Sequence, residues 1–302
     1  MVELNKQEMR LLSFFEINFC LKFNEPVRWT TLTEVVFRSA IGFHLHRMCC
    51  VLKGQESCAS CALNQTCVYS WFFESHIEKD SIAVPGRDRA SHPFLLEFDR
   101  VSPTEGFLKV VFLGNSRNFI PYVIEAVSRT GVRGVSRDRT QFTVESVLHE
   151  GHPYVYNMRE TEHDSRSWPD FRSLGKGFIV LDCPCRIKES GKYVSSIDLA
   201  TFITAMQRRM HVLTCLYGDE PYQITDIAIP SSQPVGQSWK DVNYYSVRQK
   251  ERIKLGGVVG MIHVKEKPSD SVSRLITAAE YFHIGKNASF GLGKIHYEEE
   301  EQ

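Results

Sequence analysis

Apolar and polar positions alternate with period two over several runs of this chain, and between them apolar positions recur at helical spacing. The run Leu11 to Phe23, LLSFFEINFCLKF, is apolar-rich with partial alternation and predicts a buried strand. Thr31-Leu-Thr-Glu34 has the form of a capping box and predicts a helix reaching about Met48. A cysteine-rich loop follows. Two strand-like runs, PFLLEFDRV and GFLKVVFLG, are joined by SPTEG, which is turn chemistry. NFIPYVIEAVSRTG predicts a second helix stopped at Gly131, and TQFTVESVLHE alternates again as a strand.

The remainder repeats that order. GFIVLDCPCRI predicts a strand, and Ser195 or Ser196 a cap for a long helix from Ile197 to Leu216 that stops at Gly218. YQITDIAI reads as an additional strand, VNYYSVRQ and IKLGGVVGMIHV as a hairpin, and Val272 to Phe282 as a helix before a final strand. The element order β-α-β-β-α-β, met twice, predicts an α+β protein of two tandem ferredoxin-like (RRM-like) domains, the first with a Cys-rich insertion at about 49–67. The expected division is residues 1–150, a polar linker 151–176, and 177–302. Each half also ends alike, in a helix, a glycine-containing basic turn and a strand. The first such turn, RTGVRGVSRDRTQF, carries Arg129, Arg133, Arg137 and Arg139.

The 302 residues suffice for two domains with proper cores. With 42% hydrophobic and 24% charged residues the composition is that of an ordinary globular protein. No apolar run approaches the ~18 residues of a membrane span, and MVELNKQEMR lacks a signal-peptide pattern, so the expected location is cytoplasmic. A formal net charge of +0 means that any nucleic-acid surface must be a local basic patch. Nine cysteines in such a chain point to buried thiols or a metal site, not to disulfides.

The bend YFHIGKNASFGLGKIHY raises the question of phosphate binding. A P-loop needs G-x-x-x-x-G-K-[ST] between a strand and a following helix. Here Gly291 is followed by Leu292-Gly293-Lys294, and the order is helix, bend, strand. ATP is therefore a poor fit, while glycines flanked by lysines still suit a polyanion.

Paired ferredoxin-like units ending in HIGKNASFGLG resemble the RAMP superfamily of CRISPR-associated RNA-binding proteins. The superfamily signature is two glycine-apolar-glycine triplets around a basic spacer. Gly291-Leu292-Gly293 matches the second triplet, Lys286 lies in the spacer, and His283-Ile284-Gly285 departs from the first at its leading glycine. The segments DLATFITAMQRRMHVLTCLYG and YYSVRQKERIKLGGVVGMI make the second half, from about Gly177 to Tyr297, similar to the CRISPR-associated endoribonucleases that process precursor transcripts. That resemblance implies cleavage of repeat RNA with no cofactor for catalysis. The ribose 2′-OH attacks the scissile phosphate, leaving 2′,3′-cyclic phosphate and 5′-OH ends. Such a reaction uses a base, an acid and a cation for the phosphorane. The alternative is a non-catalytic repeat-RNA-binding subunit of an interference complex, and other CRISPR-associated subunits are expected partners in either case.

The resemblance places a catalytic histidine on or just after the first helix, where IGFHLHRMCCVLK offers His44 and His46, with Arg47 and Lys53 close behind. On a helix the two histidines point about 200° apart. His44 shares a stripe with Phe37, Ile41 and Met48, whereas His46 shares its side with Ser39 and Gly42, small residues that would let RNA approach. The expectation is therefore His46 first, then His44, with Lys53 as a supporting cation. For RNA contacts the candidates are Gly285, Lys286, Asn287, Ser289, Gly291, Gly293 and Lys294 on the bend. Tyr245, Arg248, Gln249 and Lys254 on the hairpin can stack bases and meet the backbone, and Arg133, Arg137 and Arg139 on the earlier turn add cations. A solvated hairpin with its tyrosines packed on a sheet is the plainer reading. Cys50, Cys58, Cys61 and Cys67 have a spacing that suits structural zinc, or a [4Fe-4S] cluster as the alternative; four unligated thiols are the third outcome.

Overall fold

The computed structural model describes residues 11–52, 57–75, 77, 91–155, 166–168, 171–246 and 251–300. In the first half β1 (Leu12–Phe23) and α1 (Thr33–Cys49) are followed by β2 (Phe94–Ser102), β3 (Glu105–Leu113), α2 (Ile120–Arg133) and β4 (Phe142–His149). Short β5 (His152–Pro153) and β6 (Arg166–Trp168) join the same sheet, whose order is β2-β3-β1-β4-β5 with β6 on β1. The second half contains β7 (Gly177–Cys185), the small hairpin β8 (Lys188–Glu189) and β9 (Lys192–Tyr193), and α3 (Leu199–Tyr217). It continues with β10 (Ser232–Ser246), β11 (Glu251–Val264), α4 (Asp270–Phe282) and β12 (Ile295–Glu299). Its sheet runs β10-β11-β7-β12. Counted within each half, both sheets have the order second-third-first-fourth with antiparallel neighbours, which is the ferredoxin-like arrangement predicted twice over.

Alternation along the strands decides what each face of the first sheet meets. Phe15, Ile17, Phe19, Leu21 and Phe23 of β1 point to one side and pack with Phe37, Ile41 and Leu45 of α1 and Val123 and Val127 of α2. Each such buried side chain contributes roughly 1.5–3 kcal/mol. The opposite face is apolar at one end, where Leu12, Phe14, Leu95, Val111 and Leu113 enter the core of the second half. There the Phe14 ring lies 5.1 Å from Tyr281 and 5.2 Å from Phe282 at the end of α4. At its other end the same face is charged, with Glu97 on β2 directly opposite Lys109 on β3. The two halves thus share one core, and polar groups rim their junction.

Several local expectations give way to tertiary context. No capping box forms: the residue before α1 is Leu32, without a side-chain cap, and Glu34 turns inward instead. Gly131 does not stop α2, which continues to Arg133 and ends at Gly134; at Gly131 the helix passes so close to Phe142 that a Cβ would lie 2.3 Å from its carbonyl oxygen. Asp198, not Ser195 or Ser196, caps α3 by accepting the Thr201 N–H at 2.8 Å. The segment YQITDIAI forms no strand. Among the described residues no helix is long and apolar enough to cross a membrane.

Candidate functional site

The glycine bend between α4 and β12 is built from backbone that side chains rarely adopt. Gly285, Gly291 and Gly293 all have φ between +74° and +79°, and Asn287 has φ of +66°. A Cβ on Gly293 would lie 1.9 Å from the Ile284 carbonyl oxygen, and one on Gly291 would lie 2.6 Å from the Glu34 side chain. The glycines therefore serve close packing: the bend seats itself on the first turn of α1. Phe290 sits beneath the Arg38 guanidinium at 4.1 Å, which fixes the seat further.

In that seat part of the bend is closed off. Ser289, Gly291 and Gly293 are buried, and Gly285, Lys286 and Asn287 are half-buried. Lys294 is held by carboxylates, its Nζ 2.8 Å from Glu97 and 3.5 Å from Asp99. Lys109 meets Glu97 at 2.8 Å from the other side. Burial alone would raise the Glu97 carboxyl, but His283, Lys109 and Lys294 overcome it and hold the acid far below the usual carboxylate range. Glu34, by contrast, is pushed up to about 7, first by burial, while accepting a hydrogen bond from the Phe98 N–H at 3.3 Å. A cleft of about 640 Å³ opens beside this cluster, walled by Glu97, Asp99, Lys109, Arg172, Glu280 and Lys294. Its cations are matched by carboxylates, Arg172 with Glu280 at 3.3 Å included.

The two histidines of α1 occupy different surroundings, and not those expected. His46 is exposed and stands edge-on to Tyr69 at 4.7 Å, on the side of the cysteine loop. The small-residue slot beside it is closed, because Gly42 is covered by the Phe73 ring, 2.8 Å from where a Cβ would stand. His44 faces α2. It is half-buried, with Nε2 covered and without a hydrogen-bond partner. Burial, then Arg133, Arg129 and Arg47 in that order, lower its proton affinity below the ordinary histidine value. The Arg133 guanidinium lies 3.9 Å over the neighbouring Phe43 ring. Arg133, Arg137 and Arg139 are exposed around the turn after α2. The structure therefore joins His44 to the basic turn of the first half, a pairing that needed the α1–α2 contact and was absent from the sequence pattern. Ten residues of α1 separate His44 from Glu34, so this site lies about 15 Å along the helix from the glycine bend.

Lys53, Arg248, Gln249 and the side chain of Tyr245 lie outside the described residues; Lys254 is exposed on β11. Cys50, Cys58, Cys61 and Cys67 are free and half-buried. Burial raises the Cys58 thiol, and the neighbouring Glu74 and thiols add to it. Among the described residues no group of three or more ligating side chains is placed to hold a metal.

Comparison with known proteins extends this geometry. The family profile AF_1859_N, an N-terminal domain, matches residues 12–167, and the profile of the CRISPR-associated endoribonuclease Cas6 matches residues 179–295. No curated protein matches. Among solved structures, the Cas6 (TTHB231) product complex has a TM-score of 0.53 at 12% identity, over 95% of this chain and 99% of that one. Thermus thermophilus Cas6 (TTHB231) has a TM-score of 0.51 at 12% identity with the same coverage. A partial Cas6-RT-Cas1–Cas2 complex has 0.52 at 11% identity, over 95% of this chain and 46% of that one. At such identity the structures carry the fold, and the profiles carry the family. The chain belongs to the AF_1859_N family through its first half, and its second half matches the Cas6 profile, so that the chain resembles the CRISPR-associated endoribonucleases of repeat-RNA processing.

Proposed function

We propose that this protein cuts CRISPR precursor RNA within the repeat, with His44 as the proton-transferring group and the arginines around it as the anchor for the scissile phosphate. The observation that carries this reading is the half-buried His44 imidazole at the basic turn, with three guanidiniums near enough to depress its proton affinity. A neutral imidazole at neutral pH can take the 2′-OH proton. The guanidiniums suit both the phosphate and the charge that gathers on the phosphorane. Nothing in this scheme asks a metal to act; the 2′-OH is the nucleophile, the products are a 2′,3′-cyclic phosphate and a 5′-OH, and DNA lacks the group required. The solved relatives are titled as a product complex and as assemblies with Cas1–Cas2, and on that analogy the RNA and other CRISPR-associated proteins are this chain's partners.

The test is the repeat RNA incubated with protein in EDTA, beside a copy carrying one 2′-deoxy nucleotide at the cut. Discrete cleavage of the first and tight binding without cleavage of the second are expected. RNA that is shifted in a gel but left whole would instead identify a binding subunit, and cleavage of the deoxy substrate would remove the proposed nucleophile.

A further inference from the structure

An aromatic and cationic patch lies on the second half, away from His44, on residues of which the sequence pattern singles out Lys254 alone. Trp239 on β10 is 43% exposed although it is one of the largest apolar side chains. It is held in place: its Nε1–H donates to Asp241 Oδ1 at 2.8 Å, and it lies over Gly256, where a Cβ would come within 2.4 Å of the indole nitrogen. The Tyr193 ring of β9 stands 6.3 Å away, tilted by 55°. Above Tyr193 lie the Arg186 guanidinium at 4.2 Å and the Lys188 ammonium at 4.8 Å. Arg186 is itself anchored, donating to the carbonyls of Lys254 and Gly256 at 3.4 and 3.5 Å. Its own carbonyl receives the Lys286 N–H at 2.9 Å, which ties the patch to the glycine bend. Lys188, Lys192, Lys240 and Lys254 are exposed around the rings, against Glu189 and Asp241; Asp241 is engaged by the indole N–H and lies 4.0 Å from Lys254.

Two pre-oriented rings, one open to solvent, within a fringe of cations are what an unpaired nucleotide needs. Its base can stack on any aromatic face, and its flanking phosphates meet lysines. We infer that Trp239, with Tyr193 behind it, is a stacking platform for an unpaired base of bound RNA, and that Lys188 and Lys254 hold the adjoining phosphates. The inference rests on the RNA-processing reading and adds to it a contact remote from the cut. A platform of this kind tolerates any base, so it governs affinity for unpaired RNA and not the choice of cleavage position.

The test uses the full chain and two fluorescent probes, a twelve-nucleotide oligoadenylate RNA and an abasic strand with the same number of phosphates. Wild type should bind the oligoadenylate more tightly than the abasic strand. Trp239→Ala should weaken oligoadenylate binding by roughly five- to a hundredfold and leave abasic binding unchanged, as expected for the loss of one stacked base. Trp239→Phe should recover most of it. Lys188→Ala with Lys254→Ala should weaken both probes alike. Equal oligoadenylate binding by wild type and Trp239→Ala overturns the platform, and so does a wild type that ignores the bases. Cleavage of repeat RNA by a Trp239→Ala protein with unaltered oligoadenylate binding would sink this inference alone. Absence of any repeat-RNA binding by the wild type would sink the processing reading along with it.

Discussion

The His283 imidazole stands with Nε2 3.5 Å from Glu97 Oε1 and Nδ1–H donating to the Leu292 carbonyl at 3.2 Å, fully buried where the two halves meet. Its backbone has φ of +56° and ψ of +166°, a region in which glycine is comfortable and other residues are strained by about 1–3 kcal/mol. The RAMP triplet has glycine at this position, and the side chain explains the departure. Fully buried between the bend and β2, with its ring bonded to the Leu292 carbonyl, His283 is a structural residue of the junction.

Removing the acid at the centre of this lock should be costly. Glu97 has a side chain only 3% exposed and meets Lys109, Lys294 and His283. Glu97→Ala leaves the Lys109 and Lys294 ammonium groups without their shared carboxylate, a loss on the order of 3–5 kcal/mol. Urea unfolding should show that drop, with Glu97→Gln intermediate. A melt of Glu97→Ala matching wild type would mean that the cluster does not hold the halves together.

Gly291 should be intolerant of even a methyl group. With φ of +79° and the Glu34 side chain 2.6 Å from a would-be Cβ, Gly291→Ala must strain the backbone and push the bend off α1. A loss of about 2 kcal/mol or more is expected, together with faster proteolysis of the bend. A variant as stable and as resistant as wild type would show that the seat is loose.

Glu34 makes stability depend on pH in a definite direction. Its carboxyl is raised from 4.5 to about 7, so the folded chain holds a proton there that the unfolded chain releases above about 4.5. The stability tied to that proton is full below pH 4.5 and is lost as pH rises through about 7. Glu34→Gln keeps an acceptor for the Phe98 N–H and carries no charge. It should match wild type at pH 4 and exceed it by an amount on the order of 3 kcal/mol at most at pH 8. Parallel stability curves for the two proteins across that range would contradict the assignment.

These predictions also mark what could be read without coordinates. The strands and helices of both halves, and their repeated order, follow from local periodicity, and α1, β1 and α4 stand close to where the pattern puts them. Glu34 was misread because Thr31 and Glu34 satisfy a capping rule that is purely local, whereas the carboxylate is taken by Phe98, sixty-four positions on. The seat of the glycine bend is illegible in the sequence for a related reason. Glycines permit close backbone approach by anything, and here the approaching partner is α1. Trp239 escaped notice because an alternating strand gives no sign of which outward residues have their backs supported.

The choice between the histidines rests on proton affinity as well as position. Burial and then Arg133, Arg129 and Arg47 depress His44, so its neutral form persists below the ordinary value of 6.5. If His44 is the base, the acid limb of the cleavage rate lies below pH 6.5. Arg133→Gln should move that limb upward while slowing the reaction, because the same guanidinium both repels the proton and steadies the phosphate. His44→Ala should lower cleavage by roughly 10²–10⁴-fold with RNA affinity little changed, whereas His46→Ala, beside Tyr69, should cut at the wild-type rate. The pH profile separates a catalytic His44 from one that merely packs α1 on α2, since a packing role would change the rate without moving the limb. A limb unmoved by Arg133→Gln, or a dead His46→Ala beside an active His44→Ala, would return the reaction to the other side of the helix.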